Sequence, residues 1–276
     1  MRQALCSLKT LHYNLIMKTV VSKDGTKIAY DVYGNGPALI YITGASCFRN
    51  FMPIKNDVKT FAKNFSVFTY DRRGRADSGD TAPYAIEREI EDIAALIDAA
   101  GGSAYLYGHS SGAVLALEAA LSLPRKVQKA VIYDASYVHD ATEKAAYKEL
   151  GLQTKALLKD GKNAKAMKTF LSGIGMPKPF VALLPLFPGW KTMKTLAPTL
   201  AYDIALTEDT PPLKKIAGIT QPVHVVVGSK SPKSVQAVGA DVAQAIPKST
   251  FQTLEGQDHM VSAEKLLPVL TQFFGA

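Results

Sequence analysis

The sequence YLYGHSSGAVLALEAA, residues 105–120, contains the feature that decides the fold of this chain. It begins with an apolar run typical of a buried strand, passes through Gly108-His109-Ser110-Ser111-Gly112, and ends in a helical pattern rich in Ala and Leu. A Gly-x-Ser-x-Gly turn between a strand and a helix lifts the hydroxyl of its central serine off the sheet edge, and its glycines let neighbouring backbone come close. We therefore predict that Ser110 is a nucleophile on a strained strand-to-helix turn.

Strand and helix patterns alternate on both sides of this turn. The chain opens with a hairpin signal around Asp24-Gly25, after which continuous apolar runs, typical of strands buried on both faces, alternate with amphipathic helical patterns. The later strands are predicted at 38–43, 66–71, 104–108, 129–134, 222–229 and 249–254, and the helices at about 53–63, 84–101, 112–123, 234–245 and 262–274. This order predicts an α/β fold: a mostly parallel, doubly wound, eight-stranded sheet that starts with an antiparallel hairpin.

The alternation stops between about 137 and 212. This segment is rich in Lys and Ala, is broken by Pro and Gly, and shows no strand pattern. We predict that 137–212 is a helical cap inserted into a core formed by 17–136 and 213–276. Residues 1–16 lack a small-residue cleavage site, and polar residues interrupt their apolar stretch, so we expect a disordered N-terminal extension rather than a signal peptide.

Composition and charge limit the classes of function. The chain has 276 residues, 47% of them hydrophobic, and no apolar run approaches the roughly 18 residues that a membrane span needs. The formal charge of +8 is concentrated in ten lysines between 141 and 200. Arginine and interleaved stacking aromatics, the usual marks of a nucleic-acid surface, do not accompany them. We interpret these lysines as a solvated helical face, with steering of anionic substrates as the alternative.

The same numbers set expectations for location and partners. Two cysteines, Cys6 and Cys47, fit a reducing compartment better than a disulfide scaffold. We therefore expect a cytoplasmic protein that acts on a small molecule, without a nucleic-acid or membrane partner, and a homodimer stays open. No cluster of His, Cys, Asp or Glu has metal-ligand spacing, and no glycine pattern fits a nucleotide loop, so we expect neither a metal nor a cofactor.

A serine nucleophile needs a general base, and the chain offers five histidines. His259 lies in LEGQDHMVSAEKL, a loop between the last predicted strand and the last helix, at the edge of an open parallel sheet where sites form. The other four fit worse. His12 lies in the N-terminal extension and His109 beside Ser110 on the turn. His139 lies at the start of the predicted cap and His224 inside a predicted strand. We predict His259 as the base.

These residues resemble the α/β-hydrolase superfamily, and look closest to a bacterial group of it. GHSSG is similar to its nucleophile elbow, ITGAS (42–46) to its oxyanion loop with Thr43 where a histidine is common, and GQDH to its late histidine. YDRRGRADSGD (70–80) resembles its Asp-x-Arg-Gly turn, with Ala76 where a second glycine is usual. The resemblance covers about 17–276, and it implies the fold, a helical cap and serine-based chemistry, but no particular substrate.

The acid of the expected Ser–acid–His set departs from that resemblance. Most members carry it after the strand that corresponds to VHVVVG, and here GSKSPKSV (228–235) has no carboxylate. Some members carry it at the end of the preceding strand, where VIYDAS places Asp134. We predict that Asp134 orients His259 and stabilises its imidazolium. Asp258 as the acid, or no acid partner at all, are the alternatives.

The oxyanion hole is expected to use two backbone N–H groups, those of Ala45 and Ser111. Cys47 is interpreted as a pocket-wall residue, and Asp71, Arg72 and Arg73 as a structural turn rather than catalytic groups. Together the predictions describe a cofactor-free serine hydrolase, a carboxylesterase that cleaves a small or medium apolar ester through an acyl-enzyme. The alternatives are a ligand-binding protein on the same fold and a cofactor-free lyase or perhydrolase that uses the same residues.

Overall fold

The computed structural model describes residues 18–276, and within them a single eight-stranded sheet dominates the structure. The predictions for residues 1–16, including Cys6 and His12, lie outside the described residues. The strands are β1 (Lys18–Val21), β2 (Lys27–Tyr33), β3 (Ala38–Ile42), β4 (Ser66–Tyr70), β5 (Ala104–His109), β6 (Val127–Tyr133), β7 (Val223–Gly228) and β8 (Ser249–Leu254).

The strand order is β1-β2-β4-β3-β5-β6-β7-β8. β1 pairs antiparallel with β2 and β2 antiparallel with β4, and every later pairing is parallel. The predicted fold, an antiparallel entry followed by a parallel sheet, is therefore confirmed. Because β5 and β6 are adjacent in the middle of this order, the residues that follow them meet at one edge of the sheet.

Helices cover both faces of the sheet, as a doubly wound fold requires. They are α1 (Met52–Phe61), α2 (Ile86–Ala99), α3 (Ser111–Ser122), α4 (Ala141–Lys159), α5 (Asn163–Gly173), α6 (Lys178–Leu183), α7 (Trp190–Leu196), α8 (Leu200–Thr207), α9 (Leu213–Ile216), α10 (Lys233–Ala245) and α11 (Ala263–Phe274). Alternate strand residues face opposite layers: Ile40 packs in the core with α2, α3 and α10, and Tyr41 in the core with α1 and α11.

The segment predicted to be a helical cap contains α4 to α8, and it has a buried cluster of its own. Met167, Phe170, Leu184 and Leu196 belong to this cluster, and Phe48 from the loop after β3 packs into it. The cap therefore buries apolar surface against the loop in which the oxyanion donor Ala45 is predicted. In the part of the chain that the structure describes, no helix is long and apolar enough to cross a membrane.

Candidate active site

The strained turn at Ser110 joins β5 to α3. Ser110 has φ 59° and ψ −124°, a left-handed conformation that costs a residue with a Cβ about 1–3 kcal/mol. The flanking glycines are needed for space, since a Cβ on Gly108 would lie 2.4 Å from the carbonyl oxygen of Gly112, and one on Gly112 would lie 2.2 Å from that of Ile42. Strained backbone of this kind persists where the surrounding structure imposes it, which is typical of functional sites.

The Ser110 hydroxyl forms a hydrogen bond that the sequence did not predict. Its Oγ lies 2.9 Å from the Oγ of Ser136, two residues beyond Asp134. Within residues 18–276, no hydrogen bond joins Ser110 to His259. The Ser110 hydroxyl is therefore hydrogen-bonded to Ser136, and a rotation about the Cα–Cβ bond of Ser110 is needed to turn it elsewhere.

The structure brings Asp134 and His259 together. Oδ2 of Asp134 lies 3.1 Å from Nδ1 of His259, and the Asp134 side chain is 0% exposed. Asp134 has φ 46°, which makes it a second non-glycine residue in the left-handed region at this edge of the sheet. A buried carboxylate beside Nδ1 favours the tautomer that carries its proton on Nδ1 and leaves Nε2 free to accept one.

The loop after β7 contributes donors to Asp134 rather than an acid. The backbone N–H of Gly228 donates to Oδ1 at 3.2 Å, and the hydroxyl of Ser231 donates to Oδ2 at 2.5 Å. With His259, the carboxylate has three donors, which compensate for its removal from water. GSKSPKSV therefore holds the carboxylate that follows the neighbouring strand, β6, and this role of Ser231 was not predicted from the sequence.

Asp258, the alternative acid, is placed differently. Its Oδ1 accepts the backbone N–H of Met260 at 2.8 Å, and its carbonyl oxygen accepts the hydroxyl of Tyr133 at 2.6 Å. Among the described carboxylates, Asp134 is the one hydrogen-bonded to His259. Asp258 instead shapes the loop that carries the imidazole.

His109 lies beside His259 and supports it. Its Nε2 donates to the carbonyl oxygen of His259 at 2.8 Å, and the two ring centroids are 4.9 Å apart. Burial, together with the nearby charge of His259, lowers the pKa of His109 to about 4. A neutral ring that uses its proton to hold a carbonyl oxygen is not available as a base.

The remaining described histidines lie elsewhere. His224 is hydrogen-bonded to Thr250 and Gln252 on the neighbouring strand, as a packed strand histidine would be, and His139 is exposed beside Asp140.

The loop after β3 lies against Ser110. A Cβ on Gly44 would lie 3.0 Å from Cβ and 3.4 Å from Oγ of Ser110, so the Gly44–Ala45 peptide passes directly beside the hydroxyl. Ser46 turns the loop with φ 60°. The N–H groups of Ala45 and of Ser111, the first residue of α3, form no hydrogen bond with any other described residue. Both predicted oxyanion donors are therefore open beside Ser110.

The turn after β4 consists of buried ion pairs. Asp71 accepts from Arg49, Arg72 forms two hydrogen bonds with Glu89, and Arg73 forms two with Asp92. None of these groups is hydrogen-bonded to the Ser110 hydroxyl, and their structural role stays a prediction. Ala76, at the place of the expected second glycine, has φ 43°.

Metal ligands and a reactive thiol are two further features that a catalytic site can use. Over the described range, no three His, Cys, Asp or Glu side chains come together as metal ligands would. Burial raises the pKa of the Cys47 thiol to about 11, so this cysteine stays protonated and is a poor nucleophile.

Comparison with known proteins identifies the family. The model of the Alpha/beta hydrolase family matches residues 34–265, and the chain therefore belongs to that family. The crystal structure of an alpha/beta hydrolase from Sphaerobacter thermophilus is 38% identical, covers 93% of this chain and 100% of its own, and has a TM-score of 0.83. The protein is accordingly a hydrolase that acts on an ester or a related bond.

Two curated relatives extend over most of the chain. The protein named "Putative carbamate hydrolase RutD" of Azorhizobium caulinodans is 24% identical over 251 residues, 85% of this chain and 88% of its own length. The 2-(acetamidomethylene)succinate hydrolase of Mesorhizobium japonicum is 27% identical over 258 residues, 88% of this chain and 90% of its own length.

Proposed function

We propose that this protein is a cofactor-free serine hydrolase, in the first place a carboxylesterase that cleaves a small or medium apolar ester through an acyl-enzyme. The observation that carries this proposal is the fully buried Asp134 carboxylate 3.1 Å from Nδ1 of His259, at the sheet edge where the strained Ser110 turn lies. A buried acid on a histidine beside an elbow serine is an arrangement suited to activating a hydroxyl.

In the acylation step, the Ser110 hydroxyl leaves Ser136 and donates to Nε2 of His259. Oγ attacks the carbonyl carbon of the ester as Nε2 takes the hydroxyl proton. The tetrahedral intermediate collapses when the C–O bond to the alcohol breaks, and His259 returns the proton to the leaving oxygen. Throughout, the Asp134 carboxylate stays ionised, accepts a hydrogen bond from Nδ1–H of His259 and stabilises the imidazolium.

In the deacylation step, His259 takes a proton from water, the resulting hydroxide attacks the acyl carbon, and Ser110 leaves with that proton. The negative oxygen of both intermediates is bound by the N–H groups of Ala45 and Ser111. Losing one such donor costs about 10²–10³ in kcat in other serine hydrolases, less than the roughly 10⁴ lost when the acid is replaced by its amide.

The apolar surroundings support an apolar substrate group. Ala45 packs against the cap cluster, and Phe48 lies within it. The loop that supplies the oxyanion donor is therefore covered by apolar side chains of the cap, and an acyl or alcohol group bound beside it meets hydrocarbon rather than water.

A second candidate substrate class is a carbamate or an N-acyl compound. The names of the two curated relatives, at 24% and 27% identity, favour it. The same residues suffice, because His259 can protonate a leaving nitrogen as it protonates a leaving oxygen.

The test is a substrate panel with isotope labelling. We would measure kcat/KM for p-nitrophenyl acetate, butyrate and octanoate and for matched anilides and carbamates, with wild type, Ser110→Ala and Ser103→Ala as a surface control. In ¹⁸O-water, a hydrolase places one ¹⁸O in the acid product.

We expect ester turnover that disappears in Ser110→Ala and stays within twofold of wild type in Ser103→Ala. Turnover that survives Ser110→Ala contradicts the assignment of the nucleophile. Folded protein without turnover of any class supports the ligand-binding alternative, and product formation without ¹⁸O supports a lyase.

A further inference from the structure

A cluster of buried charges joins the cap to both predicted oxyanion donors. Asp203, in α8 of the cap, is 1% exposed. Its carboxylate accepts from Nη2 of Arg75 at 2.8 and 2.9 Å, from Nη1 of Arg72 at 2.7 Å, and from the hydroxyl of Ser111 at 2.9 Å. One cap side chain therefore reaches the residue whose backbone N–H is one of the predicted donors.

Arg75 extends this connection to the other donor. Its Nη1 donates to the carbonyl oxygen of Gly44 at 2.8 Å and to that of Cys47 at 3.2 Å. The Gly44 C=O and the Ala45 N–H belong to one peptide unit, which is planar and trans, so they point in opposite directions. A guanidinium that fixes the Gly44 oxygen therefore fixes the direction of the Ala45 N–H. It also polarises that peptide, which makes its N–H a stronger donor.

The charges of the cluster are balanced and inaccessible. Arg72 and Arg75 face Glu89 and Asp203, and all four side chains are at most 2% exposed. Burial raises the pKa of Asp203, but Arg75, Arg72 and the Ser111 hydroxyl outweigh this effect and hold it below its usual value, so the carboxylate is charged. Well-packed apolar groups often give equal or greater stability than such a buried network, so stability alone is a weak reason for these charges.

We propose that Arg75, held in place by Asp203, is a positioning residue that orients the Gly44–Ala45 peptide as an oxyanion donor. The position of α8, which carries Asp203, thus sets the geometry of the oxyanion hole. This inference rests on the proposed function, because it assigns a role in stabilising an oxyanion formed at Ser110.

The test uses a charge-balanced double variant and a matched control. Arg75→Met/Asp203→Asn removes one positive and one negative charge together and leaves an amide oxygen for Ser111. Arg73→Met/Asp92→Asn makes the same pair of changes in the neighbouring ion pair, which does not touch the loop after β3. Each protein is assayed for kcat, KM and inhibition by an alkyl trifluoromethyl ketone, whose adduct with Ser110 carries an oxyanion, and by the matched secondary alcohol, which forms no adduct.

We expect the Arg75/Asp203 variant to lose about 10²-fold in kcat and a similar factor in ketone affinity, as for a lost oxyanion donor. Its KM and alcohol affinity should stay within threefold of wild type. The control should lose thermal stability but keep its kcat and ketone affinity. If the double variant does not fold, Arg75→Lys replaces it. The single ammonium of lysine cannot reproduce the two guanidinium nitrogens that bond Gly44 and Asp203, and we expect a loss of roughly tenfold in kcat and in ketone affinity.

The inference is overturned if the folded variant keeps its kcat and ketone affinity within threefold while wild type forms the Ser110 adduct. It is also overturned if the control loses as much as the variant, because the effect would then be one of stability. A wild-type protein that forms no ketone adduct contradicts the proposed function itself, and the inference falls with it.

Discussion

Replacing Asp134 with Asn tests whether the buried carboxylate sets the tautomer of His259. The carboxylate has donors on every side: Gly228 N–H at Oδ1, and Ser231 Oγ and His259 Nδ1 at Oδ2. An asparagine has one acceptor oxygen and one NH₂ group, so its NH₂ must face one of these donors. When it faces His259, the ring carries its proton on Nε2 and cannot take one from Ser110.

The expected magnitude follows from that reversal. A serine hydrolase whose acid is replaced by its amide loses about 10⁴ in kcat, or about 5 kcal/mol of transition-state stabilisation. The backbone at residue 134 already has φ 46°, a conformation that Asn adopts more readily than most residues, so we expect the fold to be retained.

The assay is kcat for p-nitrophenyl butyrate, with circular dichroism and thermal unfolding as checks on the fold. Asp258→Asn is the matched control, since Asp258 bonds a backbone amide and not the imidazole, and we expect it to retain kcat within about threefold. A loss below tenfold in Asp134→Asn, or a larger loss in Asp258→Asn, would refute the assignment of the acid.

Three further predictions concern Gly44 and His109 beside Ser110 and His259, and Ala76 in the turn after β4. Gly44→Ala places a methyl group 3.0 Å from Cβ of Ser110, so kcat should fall by roughly tenfold or more in a folded protein, whereas Gly79→Ala, whose added carbon meets nothing closer than 3.5 Å, should stay near wild type. The folded-state pKa of about 4 for His109 lies below its ordinary value of 6.5, so the unfolded chain takes up the proton first as pH falls. The free energy of unfolding should therefore be highest above about pH 6.5 and fall by on the order of 3 kcal/mol towards pH 4. Denaturant titrations of His109→Gln should not show this fall. Ala76→Gly, at φ 43°, should leave the free energy of unfolding unchanged or raise it by up to about 1 kcal/mol, and a loss of 1 kcal/mol or more would show that the left-handed turn carries no strain.

The fold was predictable because its signals are local. A continuous apolar run such as ALIYI indicates a strand buried on both faces, and the amphipathic IEREIEDIAALIDA indicates a helix that covers a sheet. The alternation of such strands and helices implies parallel pairing. The segment from α4 to α8 was equally clear as helical. The sequence could not predict how that segment packs on the sheet. The contact of α8 with the turn after β4 is made by two residue pairs, and their members are separated by 128 and 131 positions in the chain.

Residues of the candidate site were predictable only where a motif, or the absence of a carboxylate from its usual position, left few residues for a role. GHSSG indicated Ser110, the last loop indicated His259, and the missing carboxylate in GSKSPKSV pointed back to Asp134. The contacts of Ser136 and Ser231 were not predictable, because a serine carries no pattern until the fold places it beside a partner. Arg75 stood within a quoted motif, but its link to Gly44 and Asp203 depends on how the loop after β3 and helix α8 pack against the turn after β4.

The most direct test of the central claim is covalent labelling of the folded wild-type protein with an alkyl fluorophosphonate, followed by intact and peptide mass spectrometry. Serine chemistry at the elbow predicts a single adduct on the peptide that contains Ser110, formed much more slowly in Asp134→Asn and absent in Ser110→Ala. Folded protein without an adduct, or an adduct that persists in Ser110→Ala, would contradict the account.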